Sequence, residues 1–288
     1  MIQDTAQTVS GDSLEIKAGL IRHALADCRT VVIESTFVHL QGVGEATERR
    51  WWETGVLRWS DFFGQTRIPG LSAGRKHYYD SALHRAAEAL LQHDTAYFAS
   101  CLRPRDQWRL LPVCRPDAVY LDIETTGEDA SPESLTVVGL HRNGCTLQLV
   151  AHENLSERSL HEAFDGATML ITFFGSVFDV PFLRRAYPRL RVPPLHVDLC
   201  FAARRIGLHG GLKSVEHQVG LARADDLMGL SGWDAVVLWH EHRQGNSRAI
   251  KRLLEYNKAD TEHLVPLAEH IYEGLARGLG PPVFSLQV

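Results

Sequence analysis

The sequence predicts a layered α/β (α+β) protein: a mixed five-stranded sheet flanked by helices, preceded by a smaller, mostly helical N-terminal region. Three observations lead there. Residues 118–151 hold three apolar runs, Ala118–Ile123, Leu135–His141 and Thr146–Ala151, and Asn143-Gly144 makes a tight hairpin turn between the last two. Residues 156–199 then alternate helix and strand patterns. From Cys200 to Gly278 the pattern is mainly helical. This order suits helices layered on a sheet.

The elements follow in chain order. Gly19–Arg29 reads as a short helix, and the β-branched run Val31–Leu40 as a strand entering the Gly-punctuated turn Gln41–Gly44. Two short helices, Glu45–Gly55 and Trp59–Gly64, come next, the second with Ser60 as its N-cap. Gly70–Lys76 reads as a loop. His77–Gln92 carries Ala82, Leu83, Ala86, Ala87, Leu90 and Leu91 at helical spacing, and Thr95–Leu102 is another short helix. Trp51, Trp52 and Trp59 read as packing residues. Arg103–Asp117, with three prolines and an Arg-rich surface, is placed as the boundary between a region 1–116 and a domain 117–288.

Beyond it, Ala118–Ile123 is a buried strand and Ser156–Phe164 a helix. Thr168–Phe173 and Leu195–Leu199 are further strands. Val180–Ala186 starts a helix that tolerates Pro181 in its first turn. The last long helix, about Ser247–Leu275, bends near Pro266.

Composition excludes several classes. The 288 residues are 44% hydrophobic and 23% charged, which excludes dominant disorder. A length of this order gives one large or two modest domains. No apolar window reaches the roughly 18 residues of a membrane span. Met1–Gly11 shows no signal-peptide pattern, and five scattered cysteines without a CxxC pair support neither a zinc ribbon nor a disulfide framework. The expectation is a cytoplasmic protein with reduced thiols. The net charge of -5 does not advertise nucleic-acid binding, although only five of the 30 basic residues are lysines. Arginine is the better bidentate phosphate ligand, and genome composition produces the same skew.

An acidic constellation carries the chemistry. Asp122 and Glu124, two apart on a strand, share one face, with Leu121 and Ile123 on the other. Paired carboxylates become favourable when divalent cations sit between them, whereas in isolation they read as solvated acids in a turn. Asp179 follows the apolar strand and turn through Phe173, Phe174, Gly175 and Phe178, where it reads as a helix N-cap or as a group facing a cleft. Tyr256 and Asp260 lie at i and i+4 on the last helix, either at a site or on an amphipathic surface.

In this order these residues resemble the DEDDy exonucleases of the ribonuclease H-like superfamily. Asp-x-Glu lies on a strand, Phe-Asp after a strand and turn, and Tyr-x-x-x-Asp on a late helix. Glu255 stands where a related subtype has histidine. More narrowly, residues 118–268 are similar to the YprB-type predicted ribonuclease H-like family, through Asp122–Gly127, Gly175–Phe182, His196–Leu199, Leu212–Glu216 and Tyr256–Asp260. A looser resemblance covers Thr36–Gly42, Trp52–Gly55 and Trp59–Phe62. One departure is Phe173-Phe174-Gly175, where the family often has Tyr-Asn-Gly; a weaker substrate contact or a looser loop is expected.

The resemblance implies an RNase H-like fold and a metal-dependent 3′–5′ exonuclease that hydrolyses phosphodiester bonds of single-stranded nucleic acid, DNA favoured, with two divalent cations, Mg²⁺ or Mn²⁺. Asp122 would bridge both ions, Glu124 and Asp260 complete the first, and Asp179 serve the second. Tyr256 would aim the attacking water, since a phenol with pKa near 10 is a poor base at neutral pH. Thr125, Phe178, Lys213 and Arg184 are the candidate substrate contacts. Arg185, Arg189, Arg191 and Lys258 are further basic candidates. Phe173, Phe174 and Phe178 suit base stacking, with core packing expected for at least two of them. Asp198 is read as a supporting residue. His240-Glu241-His242 lacks the spacing of a zinc site, and Gly42-Val43-Gly44 reads as a plain turn. The alternatives are a 3′–5′ exoribonuclease, a structure-specific endonuclease, and a non-catalytic nucleic-acid-binding protein on the same scaffold.

Overall fold

The computed structural model describes residues 31–127, 130–223 and 229–282; the helix expected over Gly19–Arg29 lies outside them. The described chain begins with α1 (Val31–Glu34), followed by turns, then α2 (Glu45–Glu53), α3 (Trp59–Gly64), α4 (Ala73–Leu91) and α5 (Thr95–Cys101). Two 3₁₀ turns, Pro104–Leu110 and Arg115–Asp117, flank α6 (Leu111–Cys114).

Three expectations are corrected here. Val31–Leu40 is not a strand. Its amides close local turns, Thr36 N to Ile33 O and Leu40 N to Phe37 O at 3.0 and 2.9 Å. Those of Phe37 and Val38 donate to Glu48 Oε1 at 2.5 and 3.2 Å, so the segment needs no partner strand. Ser60 is not the cap of α3. Asp61 Oδ2 instead accepts from the amides of Leu57 and Arg58. Gly70–Lys76 is only partly a loop, because Ser72 Oγ accepts from Arg75 N at 3.2 Å and starts α4 at Ala73.

Trp51, Trp52 and Trp59 are buried, as expected. The Arg103–Asp117 stretch is packed rather than superficial: Trp108, Leu110 and Leu111 are buried, and Arg109 pairs inside the protein with Glu48 at 2.9 Å. One apolar cluster runs from Phe37, Trp51 and Trp108 through Tyr120, Met169 and Leu195 to Leu267 and Ile271.

The sheet comprises β1 (Ala118–Thr125), β2 (Leu135–Arg142), β3 (Cys145–Val150), β4 (Met169–Thr172) and β5 (Leu195–Asp198). Their spatial order is β3-β2-β1-β4-β5. β1, β2 and β3 pair antiparallel, whereas β4 and β5 run parallel to β1. Asn143 and Gly144 both take positive φ, +52° and +75°, as a two-residue hairpin turn requires. The parallel strands need crossovers, supplied by α7 (Glu157–Phe164) and α8 (Asp179–Ala186). Then come α9 (Leu199–Arg204), α10 (Leu212–Gln218), α11 (Gly232–Arg243) and α12 (Ser247–Leu279), which contains Pro266.

Alternation along β1 separates the two faces. Val119, Leu121 and Ile123 pack with Leu160, Phe164, Val180 and Leu183 of α7 and α8. The opposite face meets α11 and α12 through Val137, Trp239, Leu253 and Tyr256. There Gly139 of β2 lies directly against Asn257 and Thr261 of α12. A Cβ at position 139 would overlap both side chains.

Gly139→Ala is expected to force α12 off the sheet, at a cost of about 1–3 kcal/mol, the usual range for overpacking. Urea unfolding of both proteins measures it; an unchanged midpoint would show that the helix can move away freely.

Candidate active site

β1 delivers the first two carboxylates. Asp122 pairs across the ladder with Gly139, and a register shift between Glu124 and Thr125 ends the regular pairing. α12 delivers the third, Asp260, one turn beyond Tyr256. Carboxylate oxygens of Asp122, Glu124 and Asp260 all lie within 4.8 Å of one another, the sole such cluster among the described residues. Asp179, at the start of α8, is buried beside them and outside that three-residue group. Asp260-Thr261-Glu262 repeats the Asp-x-Glu spacing on a helix, where Asp260 faces the cluster while Glu262 accepts from Thr146 Oγ1 at 2.5 Å.

Asn257 locks the helix to the strand. Its Nδ2 donates to Asp122 Oδ2 at 3.0 Å, and its Oδ1 accepts from Gln148 Nε2 at 3.0 Å. Asn257 is fully buried, so its amide orientation is fixed by these partners.

Burial and mutual repulsion set the charge state. The Asp122 carboxyl is held well above the usual carboxylate range by desolvation, then by the charges of Asp260, Glu124 and Asp179. Glu124 is raised for the same reasons, with Lys213 opposing. Burial pushes Asp179 up to about 7, against hydrogen bonds to the backbone at Asp179 and Ile123. Burial also raises Asp260, opposed by Arg223, whose guanidinium forms an ion pair with it. The Tyr256 hydroxyl is raised by burial and by the neighbouring carboxylates, so it stays protonated at neutral pH. Lys213 Nζ lies 4.6 Å from the Tyr256 ring centroid.

A cavity of about 480 Å³ opens over the cluster, lined by Asp122, Glu124, Thr125, Asp179, Tyr256 and Asp260, with Phe174, Phe178 and Trp233 at its edge. Two of the three phenylalanines are surface groups rather than core: Phe174 is 41% and Phe178 44% exposed. The turn that carries them explains this. Asp198 Oδ1 accepts from Phe174 N at 2.9 Å, and Asp198 Oδ2 accepts from Ser176 N at 2.9 Å and from Ser176 Oγ. So pinned, the loop turns Phe174 outward at φ +65°, a conformation in which asparagine or glycine is far easier than phenylalanine. Arg184 is exposed on α8 and does not line the cavity, nor does Lys258, which lies 3.8 Å from Glu262 on the surface of α12.

Sequence reasoning missed four residues. Asn257 lay inside the third motif but drew no attention. Glu216 lay within the quoted Leu212–Glu216 segment. Arg223 gave no signal, and Trp233, 73% exposed at the cavity edge, was not singled out.

A protein-family model described as the RNase_H superfamily matches residues 119–272, more than half of the chain. The chain belongs to this superfamily. The RNase H-like fold expected from the motifs is therefore the fold of this protein. No curated protein sequence matches the chain significantly. Among solved structures, a family B DNA polymerase from Pyrobaculum calidifontis aligns at TM-score 0.45 and 14% identity, over 58% of this chain and 27% of the polymerase. The Aedes aegypti Nibbler EXO domain aligns at TM-score 0.37 and 13% identity, over 63% of this chain and 90% of that domain. The chain thus spans about a quarter of the polymerase it resembles. None of the described helices is long and apolar enough to cross a membrane, and Cys101, Cys114, Cys145 and Cys200 are free thiols.

Two outcomes follow. Phe174→Asn is expected to raise stability by about 1 kcal/mol, by relieving left-handed strain; an equal or lower Tm would count against that strain. Asp179, with its raised pKa, favours the folded state when protonated, so its contribution is present at low pH and lost as pH rises from about 4 to about 7. In EDTA, wild type should therefore lose stability relative to Asp179→Asn across that window, measured by urea unfolding at about pH 5 and about pH 8. A constant difference would show that Asp179 does not titrate there.

Proposed function

We propose that this protein is a metal-dependent 3′–5′ exonuclease acting on single-stranded nucleic acid, DNA before RNA, with Asp122, Glu124, Asp179, Asp260 and Tyr256 as its catalytic set. The observation that carries the reading is the gathering of three carboxylates, half-buried Asp122 with buried Glu124 and Asp260, within 4.8 Å at the floor of an open, aromatic-edged cavity. Nothing in apolar packing rewards such an arrangement, and each added carboxylate raises the cost of the others.

The donor set fits hard divalent cations. Asp122, Glu124 and Asp260 offer only oxygen, as Mg²⁺ and Mn²⁺ prefer, and Asp179, which lines the same cavity, would serve a second ion. Ions held there would supply the activation of water and the stabilisation of the leaving oxygen that phosphodiester hydrolysis needs. The remaining work falls to the chain. Tyr256, protonated at neutral pH, orients water by hydrogen bonding and does not take its proton. Asn257 keeps Asp122 in one rotamer. Lys213 brings positive charge to the side of the cavity nearest Tyr256, where a phosphate would meet it. Phe174, Phe178 and Trp233 offer faces on which unpaired bases can stack, whatever their sequence.

The deciding experiment digests 5′-labelled single-stranded DNA and RNA of equal sequence with Mn²⁺, Mg²⁺ or EDTA. A ladder shortening from the 3′ end, absent in EDTA and in an Asp122→Ala, Asp260→Ala variant, is the expected result. Tyr256→Phe should retain slow cleavage, down on the order of 10²-fold, the scale of a positioning defect. Cleavage of a circular strand would make the protein an endonuclease. Binding without any cleavage would make it a non-catalytic binder.

A further inference from the structure

A second charged group stands behind the acidic cluster. Arg223 is nearly buried; its Nε and Nη2 donate to Glu216 Oε2 and Oε1 at 2.6 and 2.7 Å. Glu216, on α10, is itself buried and also meets His263 Nδ1 at 3.2 Å. This two-pronged pairing uses one edge of the guanidinium and fixes its plane. The remaining edge is turned to Asp260, and Nη1 forms an ion pair with Asp260 Oδ1. Arg223 therefore has a full counter-charge in Glu216 without Asp260. Asp260, by contrast, has in Arg223 the largest influence opposing its burial. Of the two contacts, the one to Asp260 is the exchangeable one.

We propose that Arg223 is a built-in counter-cation of the cluster: it holds Asp260 Oδ1 in the metal-free protein and releases that oxygen when a divalent cation binds, staying anchored on Glu216. The inference rests on the reading of Asp122, Glu124 and Asp260 as a metal site. Its physical content is competition. The guanidinium and a divalent cation seek the same carboxylate, so Arg223 lowers metal affinity. The same charge lessens repulsion among the carboxylates when no metal is bound, so Arg223 stabilises the empty cluster. Lys213 also opposes the burial of Glu124 and Asp260, but its Nζ lies over the Tyr256 ring and forms no ion pair with either carboxylate among those described.

The test combines calorimetric titration of Mn²⁺ with Tm in EDTA and at saturating Mn²⁺, for wild type, Arg223→Gln and the Glu216→Gln, Arg223→Gln double variant. Removing a unit charge this close is expected to tighten Mn²⁺ binding about tenfold. Arg223→Gln should lower Tm more in EDTA than at saturating Mn²⁺, because the Glu216 pairing is lost in both conditions and the Asp260 pairing only in the first. The double variant removes the Glu216 charge that Arg223→Gln alone would strand, and so reports even where the single variant fails to fold. Unchanged or weaker Mn²⁺ binding, or an equal Tm loss in both conditions, would overturn the proposal and make Arg223 a simple strut. Absence of Mn²⁺ binding by wild type is a different failure: it would overturn the metal-site reading itself, and this inference with it.

Discussion

Collecting negative charge inside a protein opposes folding, and the architecture around β1 is organised to bear that cost. Strand alternation sends Leu121 and Ile123 into the core beneath α7 and α8, which obliges Asp122 and Glu124 to face the other way. α12 then closes on that face and adds Asp260. The helix can come so near only because residue 139 has no side chain, which brings Asn257 within reach of Asp122. The carboxylates are thus held by a rigid ladder and a long helix rather than by loops. Elements of this kind keep groups in place even when their charges push them apart.

Much of this was readable beforehand, for physical reasons. The sheet was legible because its strands are short apolar runs separated by a Gly-containing hairpin and by helical spacing. The acids of the site were legible because spacing of two on a strand and four on a helix fixes which face they share. The failures fall where local signals compete with tertiary partners. The β-branched run Val31–Leu40 has strand propensity, yet the buried Glu48 carboxylate takes its amides and leaves no ladder to join. Arg223 was illegible because its role arises from contacts with two residues distant in sequence, Glu216 and Asp260. Phe174 misled for a related reason: hydrophobicity argues for burial, whereas the hydrogen bonds of Asp198 dictate where the loop points.

Two features of the cavity edge work against stability and toward contact with a ligand. Phe174 occupies a backbone region that favours other residues, and Trp233 is largely exposed. Strain and exposed aromatic surface persist where something outside the fold makes use of them. The Arg-rich surface of α8, including Arg184, lies outside the cavity lining.

The cluster joining Trp108 to Tyr272 also bears on how such a chain can be divided. Tyr120, Met169 and Leu195 lie on a sheet face whose cover includes Trp108, Leu110 and Leu111, and the edge strand β5 donates His196 N to Gln107 Oε1 at 2.8 Å. The family signature begins at residue 119, near that seam, but the apolar interior does not. A fragment cut to the signature would carry an open wound of hydrophobic surface along one whole side of its sheet. Recombination that transplanted the acidic strand and its helix without their N-terminal cover would lay that surface open to water, where apolar patches promote aggregation.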